Sequence, residues 1–237
     1  MELEELVNRR TKWLKELSHQ ISSRRYRPQP PKMYRIPKKT GFRKIGSYSI
    51  TDRVVATAML QSIARMVEPM LHRRCFAFCP GKSTTTALTA AGNWFTQKTA
   101  TRLGQSQLVT LDIKNCFEAL PHRLFLPVIK TRVDAATFSL IKMFLSSGNP
   151  IGIIQGNPLS PLLCNVALSD FDRQMNQLDK NLAQWRYADD LLLGALDPQA
   201  AIRGVAFAVH HLAELGLRMH PDKLVISTAQ QLSLIHI

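Results

Sequence analysis

Tyr187-Ala188-Asp189-Asp190 sets two adjacent carboxylates between Trp185-Arg186 and the apolar run Leu191-Leu192-Leu193. The flanking residues predict a hairpin from Trp185 to Leu193 with the acids at its tip. Two carboxylates placed so close repel each other, and each loses hydration beside a core. A divalent cation relieves both penalties; a solvated Asp-Asp turn is the bland alternative. A third carboxylate, Asp112, falls at the end of the short apolar strand expected over Leu108 to Ile113. Acidic residues are rarely left bare in a buried strand. Asp112 and the Asp189 hairpin together could hold two metal ions about 4 Å apart, as nucleotidyl transfer requires.

The elements that must position these acids follow from spacing. Leu3, Leu6, Val7, Leu14, Leu17 and Ile21 predict an amphipathic helix over 3–21. Pro28, Pro30, Pro31 and Pro37 keep the basic stretch 26–37 extended, and 38–42 reads as a hairpin turn. Asp52 is expected to cap a helix running to about Leu71. Pro80-Gly81 breaks the chain, and Ser83 or Thr84 caps a helix reaching about Gln97. Residues 98–106 read as a loop. Beyond the Asp112 strand, helices are expected over about 121–130 and 134–147, the second capped by Asp134, then a turn and a short strand within 148–156. A long helix follows from Pro158 to about Leu178, then one over 200–215 stopped at Gly216, then a strand over 224–227. Short strands mixed with helices, without strict βαβ alternation, predict an α+β fold.

The chain has 237 residues, 45% of them hydrophobic, enough for one large domain or two small ones. No apolar run approaches the roughly 20 residues that span a bilayer. The start, Met1-Glu2-Leu3-Glu4-Glu5, lacks an apolar signal core. A cytoplasmic protein without membrane contact is expected. The net charge is +14, and residues 1–53 hold 14 Lys/Arg against 5 Asp/Glu. Such a balance favours a polyanionic partner, because neutralising phosphates releases condensed counterions; a solvated basic face is the alternative. Cys75, Cys79, Cys116 and Cys164 show no C-x-x-C pair and no zinc-finger spacing, and read as reduced thiols.

Six blocks in order carry a resemblance to the reverse transcriptases, in particular the prokaryotic group typified by group II intron enzymes. Ile36-Pro37-Lys38-Lys39-Thr40-Gly41-Phe42-Arg43, Gly46 and Asp52-Arg53-Val54-Val55 resemble the fingers block. Phe78-Cys79-Pro80-Gly81-Lys82-Ser83 is similar to the family's F-R-P-G-R-S. Asp112 to Phe117 resembles the first carboxylate block, Gln155 to Pro161 the Q-G-x-x-x-S-P block, and Tyr187 to Asp190 the active-site hairpin. Leu215-Gly216-Leu217 through Lys223 resembles the lysine block that follows. The chain departs from R-P-L-G-I-P at Arg43-Lys44-Ile45-Gly46-Ser47-Tyr48, where both prolines are missing.

The resemblance implies a right-hand polymerase, with an antiparallel palm sheet packed on helices. Its expected divisions are an N-terminal extension (1–30), fingers (31–104) and palm (105–231). No primer-grip strand or thumb is read after about Ser227. Residues 232–237, Leu-Ser-Leu-Ile-His-Ile, read as a non-native tail. The implied activity is addition of dNTPs to a DNA or RNA primer on an RNA template, with two Mg²⁺ ions that Mn²⁺ can replace. Asp112, Asp189 and Asp190 would ligate the metals. Lys38 and Arg43 would clamp the triphosphate. Phe117 would lie under the incoming sugar and exclude a 2′-hydroxyl. Gln155 and Gly156 would contact nucleotide and template, and Lys223 would approach the phosphates. A non-catalytic RNA-binding protein on the same scaffold is the alternative. Several residues carry no chemistry in this reading: Asp170 and Asp172 are expected on a helix surface, His122 in packing, and Trp13, Trp94 and Trp185 as core anchors.

Overall fold

The computed structural model describes residues 3–38, 41–98, 106–146 and 151–228. Helix α1 (Leu3–Ser22) leads into the Pro-rich stretch, which stays extended until β1 (Lys32–Pro37) pairs antiparallel with β2 (Phe42–Ser47). Helices α2 (Ile50–Val67) and α3 (Thr84–Lys98) follow. Next come β3 (Gln107–Asp112), the short helices α4 (Cys116–Ala119) and α5 (Leu126–Lys130), and α6 (Ala135–Ser146). The chain continues through α7 (Ser160–Gln177), the hairpin β4 (Leu182–Tyr187) and β5 (Asp190–Ala195), α8 (Pro198–Leu215) and β6 (Val225–Thr228). The class is α+β, as expected. The residues 98–106 loop and the 232–237 tail lie wholly or mostly outside the described residues.

The central sheet has the order β4-β5-β3-β6, antiparallel throughout. Strand alternation gives it two distinct faces. Val109, Leu111, Leu191 and Leu193 join the larger core, which they share with Ile63 of α2, Ile141 of α6, Leu163 and Phe171 of α7 and Leu212 of α8. Ala183 and Trp185 turn the other way, onto Phe76 and onto Ala87 and Ala91 of α3. Asp112 and Asp190, which are register partners, lie in the same row as Leu192 and so on the α3 side of the sheet.

Local chemistry explains where elements start and stop. Ser49, not Asp52, caps α2: its Oγ accepts from the Asp52 amide at 3.1 Å and donates to Asp52 Oδ2 at 2.7 Å. Asp52 is instead a buried hub, taking hydrogen bonds from Tyr26 Oη and from the Gln29 amide, and so stitches the Pro-rich stretch to α2. The helix stops at Val67 rather than Leu71 because Pro69 cannot continue it; a 3₁₀ turn, Glu68–Met70, takes over. Ser83 caps α3 through the Thr86 amide and Asp134 caps α6 through those of Ala136 and Thr137, as expected. Of the turn and short strand expected within 148–156, residues 148–150 lie outside the described residues, and 151–156 form bends and a turn whose backbone bonds Phe117 and Gly46 instead.

Two glycines set how the β1–β2 hairpin meets the rest. The Gly46 amide donates to Gln155 O at 2.8 Å. Gly156 has φ +104°, and a Cβ there would lie 2.2 Å from Gly46 O. A Cβ on Gly46 would lie 2.5 Å from Ile154 Cγ2. Two backbones cross here at a distance only glycine permits.

Candidate active site

β3 delivers Asp112, and the β4–β5 turn delivers Asp189 and Asp190. Asp112 faces Asp190 across the ladder, and the Ile113 amide donates to Asp189 O at 3.1 Å. The three carboxylates expected from sequence therefore converge. The turn between β4 and β5 is only Ala188–Asp189, and Ala188 sits in the left-handed region at φ 58°. A non-glycine residue stays there only where its surroundings hold it.

Lys223 joins them from a distant part of the chain. Residues 218–220 run beside 112–114: the Lys114 amide donates to Arg218 O at 2.8 Å, and the His220 amide donates to Asp112 O at 2.8 Å. The 3₁₀ turn Pro221–Lys223 then places Lys223 Nζ 2.5 Å from Asp112 Oδ2. Burial holds the Asp189 carboxyl above its ordinary range, reinforced by Asp112 and eased by Lys223 and Arg43. Burial also raises Asp190, with the charges of Asp189 and Asp112 behind it. The hydrogen bond to Asp112 raises Lys223.

The other expected residues are placed less closely. Arg43 is exposed on β2, near enough to ease the titration of Asp189. Lys38 is exposed at the end of β1, and its amide donates to Gly41 O at 3.0 Å. Phe117 is the second residue of α4, after Cys116 and the left-handed Asn115, whose φ is 48°; it is 9% exposed and joins the larger core, and its carbonyl accepts from the Ile153 amide at 2.7 Å. Gln155 and Gly156 form the crossing with Gly46. His122 packs on Phe125 and bonds Gly152 O at 2.6 Å, and Trp185 is buried, both as expected. The four cysteines are free thiols.

One sequence expectation fails. Asp170 is on the surface, paired with Arg173, but Asp172 is 1% exposed. It takes a two-pronged contact from Arg186, Nε to Oδ1 at 2.8 Å and Nη2 to Oδ2 at 2.7 Å, and a bond from Gln184 Nε2 at 2.7 Å. Arg186 is also fully buried. Burial alone would lower its pKa, and Asp172 more than reverses this. The signal was present in α7, where Asn165, Leu168, Asp172 and Met175 recur at helical spacing and form the buried face.

Among the described residues, no three His, Cys, Asp or Glu side chains meet at ligating distance. Lys223 pairs directly with Asp112, and the charges of Asp112, Asp189 and Asp190 act on one another. Burial and mutual repulsion hold Asp189 and Asp190 above their ordinary range, and a cation placed beside them and Asp112 would favour their charged forms.

The same architecture recurs in solved telomerase structures. That of Candida tropicalis with a TWJ fragment of telomeric RNA aligns at a TM-score of 0.63 and 14% identity, over 91% of this chain and 44% of that one. The apo form from the same species, truncated from its C-terminal domain, aligns at 0.61 over 83% and 49%. The fold is that of polymerase fingers and palm. Residues 36–234 match the family described as reverse transcriptase (RNA-dependent DNA polymerase), and the chain belongs to that family.

Protein YkfC of Escherichia coli K12 is 26% identical, over 90% of this chain and 67% of YkfC. Group II intron-encoded protein LtrA of Lactococcus lactis is 28% identical over 70% of this chain, and retron Mx65 reverse transcriptase of Myxococcus xanthus 27% over 66%. The chain spans two thirds of YkfC, but only 28% of LtrA and 38% of the retron enzyme. Among the described residues no helix is long and apolar enough to cross a membrane.

Proposed function

We propose that this chain carries the catalytic core of an RNA-directed DNA polymerase that adds dNTPs to a primer 3′ end. The convergence of Asp112, Asp189 and Asp190 at one end of the sheet carries this reading. Asp112 and Asp189 hold two Mg²⁺ ions, which Mn²⁺ can replace, and Asp190 supports the site. Bound there, the ions supply Lewis acidity toward the primer hydroxyl and the triphosphate.

The remaining roles belong to the chain's own groups. Lys38 and Arg43 reach phosphate oxygens from the exposed β1–β2 hairpin. Phe117 closes the floor beneath the sugar. Gln155 and Gly156 hold the hairpin over that floor and line the template path. Lys223 offers a proton to the departing pyrophosphate. Residues 31–104 act as fingers and 105–231 as palm, and the partners are an RNA template, a DNA or RNA primer and dNTPs.

The test is primer extension on an RNA template with dNTPs and Mg²⁺, with a thumb fused to the chain. Asp112→Asn and Asp189→Asn should each abolish extension while hybrid binding stays close to that of the parent. Extension surviving in either variant refutes the two-metal assignment. Hybrid binding without extension by the thumb-fused parent would select the RNA-binding alternative.

A further inference from the structure

We propose that Arg186, anchored on α7 by Asp172 and Asn165, is the positioning residue that sets the Tyr187–Asp190 turn and with it the carboxylates of Asp189 and Asp190. This rests on the polymerase reading for its consequence, though not for its geometry.

All five guanidinium N–H donors of Arg186 find partners. Nε and Nη2 grip Asp172, Nη1 reaches Asn165 Oδ1 at 3.0 Å and Ala188 O at 3.0 Å, and Nη2 also points to Cys75 Sγ at 3.2 Å. The bond to Ala188 is the decisive one. That residue holds the left-handed φ of the turn, and a two-residue connection has no slack to absorb a shift. Arg186 occupies the face of β4 opposite Tyr187 and therefore opposite the acids. It ties the turn from behind, while Ile113 ties it along the strand.

The Phe78 to Ser83 block, which no catalytic role absorbs, belongs to the same brace. The Arg186 amide donates to Arg74 O and the Phe76 amide to Arg186 O, both at 2.9 Å. Lys82 Nζ crosses the loop to Arg73 O at 2.7 Å and Cys75 O at 2.8 Å. The loop thereby presents Cys75 to the fifth donor.

Stability alone does not account for this cluster. A buried ion pair is often replaceable by apolar groups of similar volume at no loss of stability. What apolar groups cannot supply is a planar fork with one donor left over for a carbonyl in the turn. Lysine cannot supply it either, having three donors on one atom.

The test compares the 237-residue chain with Arg186→Lys and with the double variant Arg186→Met/Asp172→Leu, which leaves no orphaned charge. Two readouts are taken: steady-state dNTP incorporation, and amide exchange of the 186–191 segment against α7. Both variants should melt cooperatively. Both should lose kcat about a hundredfold, as expected for a displacement near 1 Å, with KM for dNTP changed less than about threefold. Exchange in 186–191 should accelerate at least tenfold while α7 stays protected. If the double variant does not fold, Arg186→Lys decides alone. Parental kcat in a folded variant, or unchanged exchange at 186–191, overturns the proposal. If the parent incorporates nothing even with a thumb fused to it, the polymerase reading fails, and the exchange comparison then still decides the positioning role.

Discussion

Phe117 is the residue at which selection between sugars is decided in this reading. Its side chain is almost closed off by the core, so little of it remains to meet a ligand. Shortening it to Val removes bulk there and opens space for a 2′-hydroxyl. Phe117→Val should raise the efficiency of rNTP use relative to dNTP by at least tenfold, read as the ratio of kcat/KM values. An unchanged ratio returns Phe117 to a purely structural place. At this scale the acids were legible in sequence because their chemistry is local: adjacent carboxylates beside apolar strands announce themselves. Lys223 was legible only through its block, since the contact with Asp112 spans 111 positions and no pattern encodes it. Asp172 was misplaced because its partner lies on another element, and an acid read on its own defaults to solvent.

The elements were more transparent than their boundaries. Helical periodicity in α7 and α8 and the apolar strands β3 and β5 came through clearly. The start of α2 did not: Ser49 and Asp52 are both good caps, and the choice between them depends on Tyr26 closing over Asp52 from outside the helix. Ser49→Ala should cost about 1 kcal/mol, measured by denaturant unfolding. The crossing of Gly46 and Gly156 predicts a larger effect. Gly156→Ala forces a Cβ into a carbonyl at a φ that L-residues avoid. We expect a loss of at least 2 kcal/mol together with a fall in dNTP incorporation, because β2 carries Arg43. Normal stability with normal incorporation would mean the two backbones part easily.

At the scale of the whole molecule, charge governs association. With a net charge of +14, hybrid binding should weaken at least a hundredfold between 50 and 200 mM salt, with a log–log slope of about −4 or steeper. A fluorescence-anisotropy titration across salt checks this, and a flat dependence would show that contacts other than phosphate dominate. Charge was plain in the sequence; the way the hairpin is moored was not, because a backbone-to-backbone bond leaves no side-chain signature. That mooring has a practical consequence for anyone recombining this protein with its relatives. The 31–47 hairpin and the 151–157 segment lie more than a hundred positions apart, yet they interlock through Gly46, Ile154 and Gly156. A chimera that exchanges one without the other imports a surface cut for a different neighbour. The two segments form a single unit of exchange, and a recombination library should place its crossover points so that they are always inherited together.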